Sequence, residues 1–145
     1  MHVGEYVINE MKERKNEIRN TILVVDDEPV NRLYFNALLK KLKCNVIEAE
    51  NGKAAVDIYM NDQDVDLVIM DIKMPVMSGI EATRIIKTFD PEVPLIVVSA
   101  MAMAKEGVDA IEAGADRCLS KPVNREDFLF AVESYMKSKT FNDKI

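Results

Sequence analysis

The chain has 145 residues, of which 48% are hydrophobic, so it can bury one core within the usual size range of a single domain. Its 19 basic and 25 acidic side chains give a formal net charge of −6, which argues against nucleic-acid binding because phosphates require a basic surface. No segment is apolar enough for a signal peptide or a membrane span, so we expect a cytoplasmic chain without membrane contact.

Histidine and cysteine are scarce. The single histidine, His2, excludes within this chain a Ser-His-Asp or Cys-His catalytic apparatus and any cluster of histidine metal ligands. The two cysteines, Cys44 and Cys118, lack metal-ligand spacing, so we expect free thiols in a reducing compartment.

The first segment, residues 1–20, alternates charged and amide side chains with sparse apolar positions. This pattern predicts a solvated helix that serves as an N-terminal extension or linker, and a dimer contact remains an alternative.

From residue 21 onward, apolar runs of strand length alternate with segments of helical spacing. The runs predict β-strands at 22–26, 44–49, 66–71, 95–99 and 117–120. The helices are predicted to start at Pro29, to follow the Asn51-Gly52 turn, to span 79–89, to end at Gly114, and to follow an N-cap at Asn124. Such alternation, with right-handed crossovers, predicts an α/β fold with a doubly wound, five-stranded parallel sheet and five helices.

Two helices carry specific expectations. The first carries apolar residues that recur at helical spacing, which are Val30, Leu33, Tyr34, Ala37, Leu38 and Leu42. The fourth has little apolar surface beyond Val108 and Ile111, so we expect it to be the most mobile element. The domain is assigned to residues 21–140, followed by a tail at 141–145 that we expect to be too short for an output domain.

Polar side chains follow four of the predicted strands. Asp26 and Asp27 follow the first, and Asp71, Ser99 and Lys121 stand at or after the ends of the third, fourth and fifth. The carboxyl ends of parallel strands meet at one edge, where ligands bind in such sheets. Three carboxylates about 5 Å apart repel by about 3 kcal/mol per pair at an effective dielectric constant of about 20, so a cation is required. Mg²⁺, which prefers oxygen ligands, is the expected ion.

This arrangement suggests phosphoryl chemistry. The Asp71 carboxylate is a candidate nucleophile toward phosphorus, while Lys121 supplies positive charge and Ser99 a hydroxyl donor to the transferred oxygens. Each residue alone has a simpler interpretation as a helix cap, a turn residue or a surface charge, and it is their joint occurrence that favours the site.

Four motifs, at 22–29, 70–79, 97–100 and 119–122, resemble those of receiver domains of two-component response regulators. The resemblance covers about four fifths of the chain and implies a flavodoxin-like sheet with strand order 2-1-3-4-5. It implies that Asp71 is the phosphoacceptor, supplied by a phosphohistidine on a histidine kinase or a histidine phosphotransfer domain. It also implies that Asp27 binds Mg²⁺ directly, Asp26 binds it through water, Asp71 completes the acidic set, and the Lys73 backbone carbonyl is a further ligand.

The resemblance also implies a switch. Ser99 would move toward a new phosphoryl group, Lys121 would pair with it, and the Lys121-Pro122 peptide bond would be cis. The position that usually carries an inward-turning aromatic residue is Cys118 here. The readout is therefore expected to rest on Ser99, the loop at 100–106 and the helix that follows.

The parent protein is left open. The motif style most resembles receivers of hybrid histidine kinases, and a stand-alone single-domain regulator is the main alternative. An aspartyl-phosphate phosphatase of the haloacid dehalogenase type is disfavoured, because the acid expected two residues after the nucleophile is Lys73. A receiver-like interaction module that is never phosphorylated is disfavoured because Asp27, Asp71 and Lys121 are all present. Homodimerisation through the last two helices is an expectation of the family. The chain itself is expected to be a signalling domain rather than an enzyme.

Overall fold

The structure, a computed structural model, describes residues 19–61 and 64–136. In this part of the chain, strands β1 (Thr21–Val25), β2 (Asn45–Ala49), β3 (Leu67–Asp71), β4 (Leu95–Ser99) and β5 (Arg117–Ser120) alternate with helices α1 (Pro29–Lys40), α2 (Gly52–Asn61), α3 (Gly79–Phe89), α4 (Lys105–Glu112) and α5 (Arg125–Tyr135). All neighbouring strands are parallel, in the order β2-β1-β3-β4-β5. The predicted doubly wound α/β fold and its strand order are confirmed.

The predicted extension at 1–20, apart from its last two residues, and the predicted tail at 141–145 lie outside the described residues. Within 19–61 and 64–136, no helix combines the length and apolar content that crossing a membrane requires.

The core consists of two layers, one on each face of the sheet. Successive strand residues point to opposite faces, so Ile22 and Val24 face α1 and α5, while Leu23 and Val25 face α2, α3 and α4. Every residue of β3 and β4 is buried, which is typical of central parallel strands covered on both sides. The sheet is therefore a rigid platform, and its carboxyl edge is where side chains of different strands meet.

Only some of the apolar residues that recur at helical spacing along α1 are buried. Val30 and Leu33 are 74% and 71% exposed, whereas Phe35, Leu38 and Leu39 are buried. Tyr34 and Ala37 are also exposed, and Leu42 packs at the border of the core. The exposed apolar residues and the buried ones each recur at helical spacing. The buried set packs inward because the Phe35 ring stacks on the Phe128 ring, with 5.0 Å between the ring centroids.

The predicted apolar face of α4 is wrong. Val108 and Ile111 are about half exposed, and the buried residues are Gly107 and Ala110. A Cβ atom added at Gly107 would lie 1.8 Å from the carbonyl oxygen of Ala102, so a glycine is required for this close approach. Small residues therefore let α4 lie near the preceding loop and the sheet. The helix ends at Glu112, two residues before Gly114, and its predicted mobility stays a prediction.

Asn124 caps α5 as predicted. Its side-chain oxygen accepts hydrogen bonds from the amides of Glu126 and Asp127 at 2.7 and 3.2 Å. This cap fixes the start of α5 five residues after the end of β5, close to the carboxyl edge of the sheet.

Candidate functional site

Three carboxylates meet at the carboxyl ends of the neighbouring strands β1 and β3. Asp26 directly follows β1 and Asp71 is the last residue of β3, and these strands are neighbours with Val25 beside Met70. Among the described residues, Asp26, Asp27 and Asp71 form a group whose carboxylate oxygens lie within 4.8 Å of one another. Asp26 is fully buried, Asp71 is 7% exposed, and Asp27 is partly exposed. The predicted acidic cluster is thus present, and its repulsion calls for positive charge.

Lys121 supplies part of that charge. Its ammonium lies 2.9 Å from Asp71 Oδ1 and 3.6 Å from Asp26 Oδ2. The Lys121 amide donates to the Ser99 carbonyl at 2.8 Å, which continues the β4–β5 pairing, and the Lys121-Pro122 bond is cis as predicted.

The pKa values of Asp71 and Lys121 are both raised, for different reasons. Burial raises the pKa of Asp71, and the charge of Asp26 adds to this, although the hydrogen bond and charge of Lys121 act in the opposite direction. Burial lowers the pKa of Lys121, but its hydrogen bond to Asp71 and the charges of both acids outweigh burial and leave that pKa raised. Three carboxylates and the Lys121 ammonium give the cluster a negative formal charge, which makes the site suitable for a further cation.

Asp26 is held by residues that the sequence analysis did not identify. Its side chain accepts hydrogen bonds from the Glu28 amide at 2.9 Å and from Asn31 Nδ2 at 3.2 and 3.3 Å. Its carbonyl accepts a hydrogen bond from Arg32 Nη1 at 2.6 Å, and Arg32 also pairs with Glu48. The signal in the sequence was the pair of polar residues, Asn31 and Arg32, in the first turn of α1, four residues after the two acids.

The Ser99 hydroxyl lies at the end of β4 and is 2% exposed. It donates a hydrogen bond to Glu106 Oε2 at 2.8 Å and accepts one from the Met101 amide at 3.0 Å. The other Glu106 oxygen lies 3.5 Å from the ammonium of Lys73. Glu106 is in the first turn of α4, and the sequence analysis did not identify it.

The loop after β3 is drawn tightly against Asp71. The Gly79 amide donates to the Ile72 carbonyl at 2.8 Å, and a Cβ atom at Gly79 would lie 1.7 Å from the carbonyl oxygen of Asp71. Ser78 caps α3 by accepting from the Glu81 amide. Glycine is therefore required where α3 begins, and this close approach fixes the backbone that carries Asp71.

Cys118, by contrast, lies outside the acidic cluster. It lines a separate, largely apolar cavity of about 610 Å³ together with Met103, Gly107 and Val108. Burial, followed by the charge of Glu106, raises the pKa of its thiol. Cys44 and Cys118 are both free, as predicted.

A cavity of about 170 Å³ opens above Asp71, and its walls bring together five of the predicted site residues. Among the residues lining it are Asp27, Asp71, Lys73, Ser99, Glu106 and Lys121. It combines a nearly buried carboxylate, an ammonium and a hydroxyl, which can act as nucleophile, charge partner and hydrogen-bond donor toward one small anionic group.

Comparisons with known proteins agree on one family. Residues 22–133 match the family described as response regulator receiver domain. The chain is 40% identical over 122 residues to the chemotaxis protein CheY of Bacillus subtilis, which covers 83% of this chain and 97% of CheY. It is 36% identical over 122 residues to a cyclic di-GMP phosphodiesterase of Thermotoga maritima, which covers 84% of this chain and 32% of that protein.

A solved structure carries the same fold with a metal bound. The receiver domain of the sensor histidine kinase PA1611 from Pseudomonas aeruginosa, with a magnesium ion in its active-site cleft, matches with a TM-score of 0.75 and 29% identity. The match covers 81% of this chain and 98% of that one. Relatives of this chain therefore include short proteins and segments of much longer ones.

Proposed function

Since this chain belongs to the response regulator receiver domains of two-component signalling, we propose that Asp71 is its phosphoacceptor and that phosphorylation switches its surface. The observation that carries this proposal is the position of Asp71. Its nearly buried carboxylate stands at the carboxyl end of a central strand, 2.9 Å from the Lys121 ammonium and beside a cavity. As a receiver, the chain is a signalling domain, and its chemistry is limited to its own phosphoryl group.

The donor is a phosphohistidine on a histidine kinase or a histidine phosphotransfer domain. An Asp71 carboxylate oxygen forms the new P–O bond as the P–N bond of the phosphohistidine breaks. The electron pair of the broken bond stays on the imidazole nitrogen, which takes up a proton from solvent. Lys121 stabilises the negative charge on the transferred oxygens, and Ser99 can donate a hydrogen bond to one of them.

The acidic cluster fits Mg²⁺. Asp26, Asp27 and Asp71 offer hard oxygen ligands, and these three carboxylates outnumber the Lys121 ammonium that lies among them. We assign the ion to these three carboxylates, with Asp26 acting through water, and to the backbone carbonyl of Lys73. When bound, Mg²⁺ supplies positive charge that lets the Asp71 carboxylate approach an anionic donor. The magnesium-bound receiver of PA1611 supports this assignment.

The switch begins at Ser99. Its hydroxyl turns from its present partners toward the phosphoryl group, and the loop at 100–106 and α4 follow. Cys118 occupies the position where family members usually carry an aromatic residue that turns inward on phosphorylation. Because cysteine has no ring, this position cannot report phosphorylation in that way. Phosphorylation places a charge near −2 where a carboxylate stood, which is enough to bias a loop between two arrangements.

For the parent protein, we propose the receiver of a hybrid histidine kinase, with a stand-alone regulator as the alternative. The match to the receiver of a sensor histidine kinase favours the former, and coverage of 97% of CheY favours the latter. The partner in either case is a histidine kinase or phosphotransfer domain in the cytoplasm, and a homodimer through α4 and α5 is a further proposal.

Intact-mass analysis after incubation with acetyl phosphate and MgCl₂ tests this function. We expect a gain of one phosphoryl group that EDTA abolishes and that Asp71→Asn eliminates. Asp57→Asn is the matched control, because Asp57 is an exposed acid paired with Lys53 on α2. No gain in the unaltered protein would instead favour a receiver-like module that acts without phosphorylation.

A further inference from the structure

We propose that Glu106 is a positioning residue that keeps the Ser99 hydroxyl proton engaged in the resting state and releases it when Asp71 gains a phosphoryl group. This inference rests on the proposed function, because it assigns a regulator to the same site. It links the phosphoacceptor directly to the first turn of α4.

The hydrogen bonds around Ser99 fix the direction of its proton. A carboxylate only accepts hydrogen bonds and a backbone amide only donates, so Ser99 donates to Glu106 Oε2 at 2.8 Å and accepts from Met101 at 3.0 Å. A hydroxyl has a single proton. In this arrangement it is committed to Glu106, so a phosphoryl oxygen must compete with Glu106 for it.

Charge makes this competition depend on phosphorylation. Glu106 lines the same cavity of about 170 Å³ as Asp71 and Lys121, so a phosphoryl group on Asp71 would bring a charge near −2 close to the Glu106 carboxylate. The second contact of Glu106, with Lys73, is long at 3.5 Å and involves a lysine side chain that is 73% exposed, so it restrains Glu106 weakly. Repulsion therefore favours withdrawal of Glu106, and Ser99 is then free to donate to the phosphoryl group.

The position of Glu106 explains how its withdrawal from Ser99 affects α4. It lies in the first turn of a helix of eight residues whose N-cap residue, Ala104, makes no side-chain capping hydrogen bond. The Ser99 link to Glu106 thus ties the start of α4 to the end of β4. Its loss removes one link between the sheet and α4 across the loop from Met101 to Ala104, which includes two exposed methionines.

The test is a titration with beryllofluoride, a phosphoryl mimic, at fixed excess Mg²⁺, followed by amide chemical shifts. Glu106→Ala and Glu106→Gln are each made alone and combined with Ser99→Ala. Glu112→Ala, at an exposed position of the same helix, is the control for loss of one negative charge from α4. Thermal unfolding checks that each variant is folded.

We expect Glu106→Ala to tighten beryllofluoride binding by roughly tenfold, the size of a lost hydrogen bond to a charged acceptor. Glu106→Gln retains a neutral acceptor, which bonds about half as strongly, so its gain should be smaller. In the Ser99→Ala background, the gain from Glu106→Ala should fall to about twofold or less, since only through-space repulsion is left. Glu112→Ala should leave the affinity unchanged.

Two outcomes would overturn the inference while leaving the proposed function intact. In the first, the unaltered protein binds beryllofluoride and Glu106→Ala does not tighten binding. In the second, Glu106→Ala tightens it equally with and without Ser99, which would mean that charge alone is responsible. Binding by Glu106→Ala but not by the unaltered protein would support the inference strongly. Absence of binding in the unaltered protein and in every variant would refute both proposals.

Discussion

Replacing Lys121 with methionine removes the ammonium that contacts two buried carboxylates while keeping a side chain of similar length. The distances of 2.9 Å to Asp71 and 3.6 Å to Asp26 correspond to gross attractions of about 6 and about 5 kcal/mol at an effective dielectric constant of about 20. Most of this is offset by the cost of removing the ammonium from water, and breaking buried ion pairs costs about 3–5 kcal/mol. Because the Lys121 side chain is 28% exposed, we expect a loss near the lower end, about 3 kcal/mol.

The assay is urea unfolding in EDTA and in excess MgCl₂. In EDTA the full loss in free energy of unfolding should appear, because the three carboxylates repel without compensation. In MgCl₂ the loss should shrink to about 1 kcal/mol, since an ion that binds only the folded state stabilises it, and the variant presents a more negative site. Lys53→Met is the matched control, because Lys53 forms an exposed pair with Asp57 at 3.0 Å. It should cost about 0.5 kcal/mol in both media.

The loss of unfolding free energy in Lys121→Met depends on pH with a defined sign. A carboxyl group whose pKa is raised in the folded state contributes stability at low pH that is lost as pH rises through that pKa. Burial raises the pKa of Asp71, and removing Lys121 raises it further. The loss caused by Lys121→Met should therefore be largest at neutral pH and smaller where Asp71 is protonated. An equal loss in EDTA and MgCl₂, or a loss that grows on acidification, would refute this reasoning.

Three further changes test the packing of the domain. Tyr59 donates a hydrogen bond to the Asp90 carboxylate, which is the main cause of the lowered Asp90 pKa, so Tyr59→Phe should cost about 1 kcal/mol at neutral pH in urea unfolding. A lowered carboxyl pKa gives stability that is lost on acidification, so this difference should vanish below the pKa of Asp90. Gly79→Ala places a Cβ atom 1.7 Å from the Asp71 carbonyl oxygen and should cost about 3 kcal/mol in thermal unfolding, whereas a neutral effect would contradict the described loop. Phe128→Ala empties a fully buried position and should cost about 3–5 kcal/mol in urea; a loss below about 1 kcal/mol would contradict its place in the core.

The strand ends could be predicted from the sequence because each apolar run stops at a polar residue. Parallel strands place their carboxyl ends at one edge of the sheet. This arrangement brings Asp26, Asp71, Ser99 and Lys121 to the same edge. Local pattern and general rules of connection predicted the doubly wound parallel sheet, whereas the strand order that makes these strands neighbours came from the resemblance to receiver domains.

The faces of α1 and α4 were not predictable in the same way. Along α1, Val30 and Leu33 are spaced as regularly as the buried leucines, and the orientation is decided by the ring of Phe35 stacking on Phe128, a contact between distant segments. Along α4, burial of Gly107 depends on the approach of the Ala102 carbonyl. Tertiary contacts of this kind leave no trace in helical periodicity.

The roles of Glu106 and Asn31 could not be predicted from the sequence for a related reason. Each contacts a strand-end residue, Ser99 or Asp26, from the first turn of the following helix. The sequence places them five to seven residues downstream, but the loop between decides whether the side chain returns to the site. Their roles follow from the path of the backbone.

The most direct measurement of the central claim is the position of the phosphoryl group. After incubation with acetyl phosphate and Mg²⁺, borohydride reduction converts an acyl phosphate to homoserine, and peptide mass analysis locates the converted residue. We predict homoserine at position 71 alone, and none in Asp71→Asn. Homoserine at Asp26 or Asp27, or a stable phosphoryl group that resists borohydride, would contradict the assignment of Asp71 as the phosphoacceptor.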